Sequence, residues 1–138
     1  MLEFNLFLID YWYFSVPLFF FIFLFAYSEM NKGGKKIEPN ELTRLVNKES
    51  AILIDIRKKE DYENGHIMTA LNYPHQEFDN QMHELNKFKD RPIILVCDMG
   101  RNSANIGEKL KKAEFKETFR LNGGMMTWTQ ENLPVVQK

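Results

Sequence analysis

The pattern of apolar and polar positions changes abruptly about thirty residues into the chain. Seventeen consecutive residues, 11–27, carry no charge and are mostly Phe, Leu, Ile and Val. As a helix that run spans about 25 Å, slightly less than a hydrocarbon layer of roughly 30 Å. Starting it at Leu6 lengthens it enough and leaves Asp10 near the outer interface. Tyr11, Trp12 and Tyr13 at one end and Tyr27 at the other form the aromatic pattern found at membrane surfaces. Pro17 is tolerated better in lipid than in water. The apolar character runs all round, which disfavours a helix lying on the surface. The pattern therefore predicts a transmembrane anchor over residues 1–28, crossing the membrane with residues 6–27. A core helix so rich in Phe would dwarf the domain behind it. A signal peptide wants a basic start, whereas Glu3 opens this chain and no Lys or Arg precedes Lys32. Ala26-Tyr27-Ser28 could still pass as a cleavage site, so that alternative stays open.

Residues 29–36, with Gly33-Gly34 and three lysines, read as a flexible basic linker. Lys32, Lys35 and Lys36 flank only the C-terminal side of the span. That asymmetry predicts an inner (cytoplasmic) membrane protein, single-pass, its C-terminal domain facing the cytoplasm. Their simplest role is to set topology, with contact to anionic head groups as an addition.

Over residues 37–138, strand-like and helix-like patterns alternate. Residues 39–46 read as a helix with Pro39 near its start and Leu42, Leu45 and Val46 on one face. Residues 51–56 suit a strand buried on both sides. A short polar helix over 59–64 and a brief strand over 70–73 follow. Helical spacing of Phe78, Met82 and Leu85 predicts a helix over 75–88. Residues 93–96 are the strongest strand. Next come a helix over 103–112 with lysines in its last turns, a strand over 118–121, a Gly123-Gly124 turn and a final helix over 125–131. Strands separated by helices predict an α/β domain with a central parallel sheet.

Composition narrows the chemistry. The 138 residues allow one domain of ordinary size plus the anchor. Outside Glu3 and Asp10 there are 18 basic and 17 acidic residues. That near-neutral balance predicts no nucleic-acid partner. Cys97 is the one cysteine, which excludes an intrachain disulfide and a thiolate cluster, and it fits a reducing compartment. His66, His75 and His83 lack zinc-ligand spacing, so no metal is expected.

Cys97 ends the strongest strand and is followed by a short loop and then a helix. Sites in open α/β sheets form beyond the carboxyl ends of strands. Amides of the turn and of the helix start would favour a thiolate there, and Gly100 would let the loop curl around the sulfur. By pattern alone, a lone cysteine at a strand end is more often a buried packing residue. A sulfur sealed among apolar neighbours would leave only a scaffold.

Four blocks shift that balance. They are Ile54-Asp55-Ile56-Arg57 with Glu60-Asp61-Tyr62 and Gly65-His66-Ile67; Ala70-Leu71-Asn72-Tyr73-Pro74; Cys97-Asp98-Met99-Gly100-Arg101-Asn102-Ser103-Ala104; and Leu121-Asn122-Gly123-Gly124 with Trp128 and Pro134. In order and spacing they resemble the rhodanese-like family over residues 37–136. With the uncharged span before them, they resemble its small single-span bacterial members, YibN-like in particular. The resemblance implies a three-layer α/β/α rhodanese-like domain behind one transmembrane helix. It also implies a sulfurtransferase in which Cys97 is the nucleophile, taking sulfane sulfur from thiosulfate or a persulfide. Cys97 would hold that sulfur as a persulfide and yield it to cyanide or a thiol. Asp98, Met99, Gly100, Arg101 and Asn102 would form the substrate-binding loop, its amides stabilising the persulfide charge. Asp55 and Arg57 would support that loop, and no metal or organic cofactor is needed.

The partners expected are a small sulfur donor, a thiol acceptor and the membrane; a protein partner is compatible but unspecified. His66 reads as a satisfied buried histidine, and Gly123, Gly124 and Trp128 as turn and packing residues. Three positions depart from the family pattern. Asn102 stands where Arg is frequent, with Arg101 one place earlier, which predicts weaker use of thiosulfate. Thr69 and Glu114 stand where Gly is usual, which concerns turns rather than chemistry. Two other classes compete. One is a non-catalytic rhodanese-like module docking a partner at the membrane. The other is a phosphatase or arsenate reductase, whose loop needs Arg where this chain has Ser103.

Overall fold

A computed structural model describes residues 1–30, 32–99 and 102–137. The chain divides into two compact units, residues 1–31 and 32–138.

The first unit is helical. α1 (Leu2–Asp10) buries no residue. At Tyr11 the backbone leaves the helical region (φ −112°, ψ 35°), and α2 (Trp12–Met30) then runs through Pro17. The continuous span expected from Leu6 is therefore interrupted. Phe14 and Ser15 donate their amides to the Tyr11 carbonyl, starting the new helix there. Within α2, the 18 residues from Trp12 to Glu29 are long and apolar enough to cross a membrane. At 1.5 Å per residue they reach about 27 Å. A signal sequence near an N-terminus meets the same description.

The second unit is a five-stranded, all-parallel sheet in the order β1-β5-β4-β2-β3. Its strands are β1 (Lys35–Ile37), β2 (Ile52–Asp55), β3 (Leu71–Asn72), β4 (Ile93–Val96) and β5 (Thr118–Leu121). The helices are α3 (Pro39–Lys48), α4 (Lys59–Asn64), α5 (Phe78–Gln81), α6 (Ser103–Lys112) and α7 (Gly124–Gln130). β4 is central and buried throughout. Its alternation divides the core: Ile94 and Val96 face α3 and α7 with Leu42, Leu45, Met125 and Trp128. Ile93, Leu95 and Cys97 face the other layer, with Phe78, Leu85, Ile106 and Leu110. Two helical layers on one parallel sheet give the α/β/α arrangement.

Two expectations need correction. The flexible linker over 29–36 is not one: Glu29 and Met30 continue α2, and Lys35 and Lys36 lie in β1 beside β5. Between them, Gly33 (φ +78°) and Gly34 (φ +108°) are buried rather than free. A Cβ on Gly107 would lie 1.8 Å from the Gly33 carbonyl oxygen, so two backbones meet where neither residue has a side chain. The Gly33 amide donates to Glu108 Oε1 at 2.7 Å, and Arg120 Nε donates to the Gly34 carbonyl at 3.1 Å. The second correction concerns residues 75–88. They form α5 and then a 3-10 helix over Met82–Phe88. Met82, Leu85 and Phe88 recur every three residues and so lie on one line of a three-per-turn helix, all against the same cluster.

Candidate active site

The candidate site forms where β2 and β4 end. Asp55, the last residue of β2, is fully buried. Arg57 folds back onto it: Nε lies 3.0 and 3.1 Å from the two carboxylate oxygens, and Nη2 donates to Oδ2 at 2.7 Å. The Arg57 amide donates to Oδ1 at 3.0 Å, and Nη2 also donates to the Gly65 carbonyl at 2.7 Å. Asn72 Nδ2 donates to the carbonyls of Asp55 (3.1 Å) and Arg57 (3.0 Å), tying β3 to this corner. Burial alone would pull the Arg57 guanidinium down. Asp55, with Asp98 and Asp61 adding their fields, instead holds it above its ordinary value. Its charge is spent on Asp55.

The loop after β4 is held by α7. The Met125 amide donates to the Cys97 carbonyl at 2.7 Å, and the Met126 amide to the Asp98 carbonyl at 3.0 Å. This close approach explains the Gly123-Gly124 pair. Both have positive φ, and a Cβ on Gly124 would lie 2.1 Å from the Cys97 carbonyl oxygen. Asn102 is exposed at the start of α6, and its carbonyl accepts the Ile106 amide at 3.4 Å. Gly100 and Arg101 lie outside the described residues.

Cys97 retains only 4 % of its accessible surface and belongs to the apolar cluster under α6. The expectation of an accessible thiol is not met at the level of the whole residue. Its neighbourhood is not purely apolar, however. Cys97 and Ser103 each have a polar or electrostatic partner within the fold. On the same face, β5 carries Arg120, only 5 % exposed and in register with Leu95. Burial pulls that guanidinium below its ordinary value, opposed by the fields of Cys97 and Glu108. No carboxylate lies within 4 Å of it among the described residues. A charge inside a strand was invisible to the pattern because Thr118-Phe119-Arg120-Leu121 reads as an ordinary strand.

Beside the loop opens a groove of about 400 Å³, lined by Arg57, Asp61, Asp98, Met99, Met125 and Met126 among others. The structure thus brings Arg57, Asp98 and Met99 to one cavity wall and leaves Asn102 off it. Asp61 was named from the sequence only within a motif block, and neither it nor the two methionines after the glycine pair was given a site role there. His66 is buried, stacks on Tyr62 at 3.8 Å and meets the Tyr62 carbonyl through Nδ1 at 2.7 Å, a packing role.

The rhodanese-like domain family matches residues 38–131. The chain belongs to the rhodanese-like family. It is 34 % identical over 123 residues to the uncharacterized protein YibN of Escherichia coli, covering 88 % of this chain and 86 % of that one. It is 29 % identical over 98 residues to the thiosulfate sulfurtransferase GlpE of Shewanella oneidensis, covering 71 % and 95 %. Its fold matches the crystal structure of a rhodanese-related protein from Thermoplasma volcanium with a TM-score of 0.68. That match has 23 % identity and covers 75 % of this chain and 99 % of the other. The central parallel sheet flanked by helices is thus the rhodanese-like fold.

Proposed function

We propose that the protein is a membrane-anchored sulfurtransferase that moves sulfane sulfur from thiosulfate or a persulfide to a thiophilic acceptor through a Cys97 persulfide. One observation carries this reading: the chain's single cysteine stands at the carboxyl end of the central strand, before a loop pinned by α7 and running into α6. Sites of α/β sheets form there. The thiosulfate sulfurtransferase activity in the printed name of the GlpE relative supports the reaction class. Comparing thiosulfate:cyanide turnover in wild type, Cys97→Ser and Arg101→Ala tests it. Loss in both variants is expected, with Arg101 serving the anionic donor; turnover surviving in Cys97→Ser contradicts the reading.

The burial of Cys97 favours a second reading, a non-catalytic rhodanese-like module that docks a protein partner at the membrane. Under it, Cys97→Ala preserves the cellular role while loss of the anchor abolishes it. The first reading predicts the reverse sensitivity at Cys97.

The anchor itself is read as α2 in the inner membrane with the domain on the cytoplasmic side. Support comes from Lys32, Lys35 and Lys36, which follow the apolar span on its C-terminal side. Protease added to intact spheroplasts should spare the C-terminal domain, and alkaline carbonate should leave the protein in the membrane. Release by carbonate, or digestion from outside, contradicts the assignment.

A further inference from the structure

Two arginines among the described residues are enclosed by the domain, and only Arg57 is neutralised, by its two-pronged ion pair with Asp55. Arg120 on β5 is 5 % exposed and has no carboxylate within 4 Å among the described residues. Its Nε donates to a neutral group, the Gly34 carbonyl, while Glu108 turns Oε1 to the Gly33 amide. An enclosed cation without a carboxylate is costly. Arg120 pairs in register with Leu95, so its side chain leaves the sheet on the face that carries Leu95 and Cys97. Cys97 is one strand across and two residues further on, which puts the two α-carbons roughly 8 Å apart. The buried cluster on that face is apolar apart from Cys97, its one ionisable member.

The other charges around this corner do not replace Arg120. On β1, Lys36 is in register with Arg120 but exposed, and in the loop Asp98 is exposed as well. At the end of β2, Asp55 and Arg57 cancel each other. On α6, Glu108 is half-buried and Lys109 pairs outward with Asp79 of α5 at 2.8 Å. α7 carries no charged residue, and Arg101 lies outside the described residues. The fields of Cys97 and Glu108 support the Arg120 charge against burial. Coulomb attraction is mutual: a guanidinium favoured by an anionic sulfur favours that anion in turn.

We propose that Arg120 is a positioning residue for the chemistry at Cys97, a strand-borne counter-charge that favours the anionic sulfur, as thiolate and as persulfide. This rests on the sulfurtransferase reading and adds a source of positive charge within the core, distinct from any cation of the loop.

The test uses the full-length protein in neutral detergent. Alkylation of Cys97 by iodoacetamide, an uncharged reagent that reacts with the thiolate, is timed by intact mass from pH 5 to pH 10. Cys97 is the chain's one cysteine, so the mass reads that residue. Each profile gives a midpoint, set by ionisation, and a plateau, set by access. Arg120→Met should raise the midpoint by about half to one pH unit and slow alkylation below it about three- to tenfold. Arg120→Lys should restore most of that shift. Glu108→Gln keeps an acceptor for the Gly33 amide but removes a negative charge, so it should move the midpoint the opposite way, downward. A merely structural role predicts altered plateaus with unmoved midpoints, and that result would overturn the proposal. If Arg120→Met does not fold, the other two variants decide: an unmoved or raised midpoint in Glu108→Gln overturns it. Persulfide loading from thiosulfate or glutathione persulfide is followed in parallel. No loading with any donor, beside the expected midpoint shifts, would sink the sulfurtransferase reading and leave Arg120 as the counter-charge of an idle thiolate.

Discussion

At the residue scale the sharpest energetic feature is Arg57 over Asp55. The Asp55 side chain is 1 % exposed and that of Arg57 8 %. Removing one partner strands the other charge, at about 3–5 kcal/mol for a pair this buried. Arg57→Ala should therefore lower the denaturation free energy of the full-length protein in detergent by that much. Arg57→Lys should recover only part, because an ammonium cannot reproduce the two-pronged contact. Four non-glycine residues among those described have left-handed φ: Ser50, Thr69, Glu114 and Asn132. Thr69 (φ +73°) and Glu114 (φ +66°) adopt the left-handed region that costs side chains with a Cβ about 1–2 kcal/mol. Thr69→Gly and Glu114→Gly should each stabilise the protein by about 1 kcal/mol, less the entropy that glycine adds to the unfolded chain. Denaturant midpoints that fall instead would show that these side chains make contacts outweighing the strain. Their departure from the usual glycine was legible in the sequence; the backbone conformation beneath them was not.

At the scale of elements, the position of α6 depends on the glycines beneath it. Alanine at position 107 would gain about 1 kcal/mol of helix propensity. The new Cβ, however, would stand 1.8 Å from the backbone oxygen of Gly33, which has no side chain to move aside. Overpacking costs about 1–3 kcal/mol or more, so steric conflict wins. Gly107→Ala should lower the melting temperature and shift α6 together with the loop preceding it, slowing modification of Cys97 by a thiol reagent. An unchanged melting temperature would contradict the packing. Most elements followed from apolar periodicity: Leu42 and Leu45 on α3, the continuous run of β4, Ile106 and Leu110 on α6. Two did not. β1 is three residues long, with only Ile37 buried, so nothing in Gly-Gly-Lys-Lys announces a strand. The 3-10 helix hid because spacing by three fits either helix type. Long-range contacts, here β1 on β5 and the glycines on α6, decide such short segments.

At the scale of the whole molecule, the rhodanese-like fold was legible because several weak blocks stood in one order, each with a structural purpose. Asp55 and Arg57 brace one corner of the site, Gly123-Gly124 lets α7 reach the carbonyls of Cys97 and Asp98, and Trp128 Nε1 donates to the Pro134 carbonyl at 3.0 Å. Less legible was the balance of charge around the site. The near-neutral total conceals a buried Arg120 on the Cys97 face and, at the groove, an exposed Asp98 and a half-buried Asp61. Function turns on whether a cysteine this enclosed takes up sulfur. The direct measurement is the intact mass of the full-length protein after incubation with thiosulfate or glutathione persulfide, beside Cys97→Ala. We predict a gain of one sulfur atom, removed by a thiol reductant and absent from the alanine variant. An unchanged mass with every donor, or an equal gain in Cys97→Ala, would contradict it.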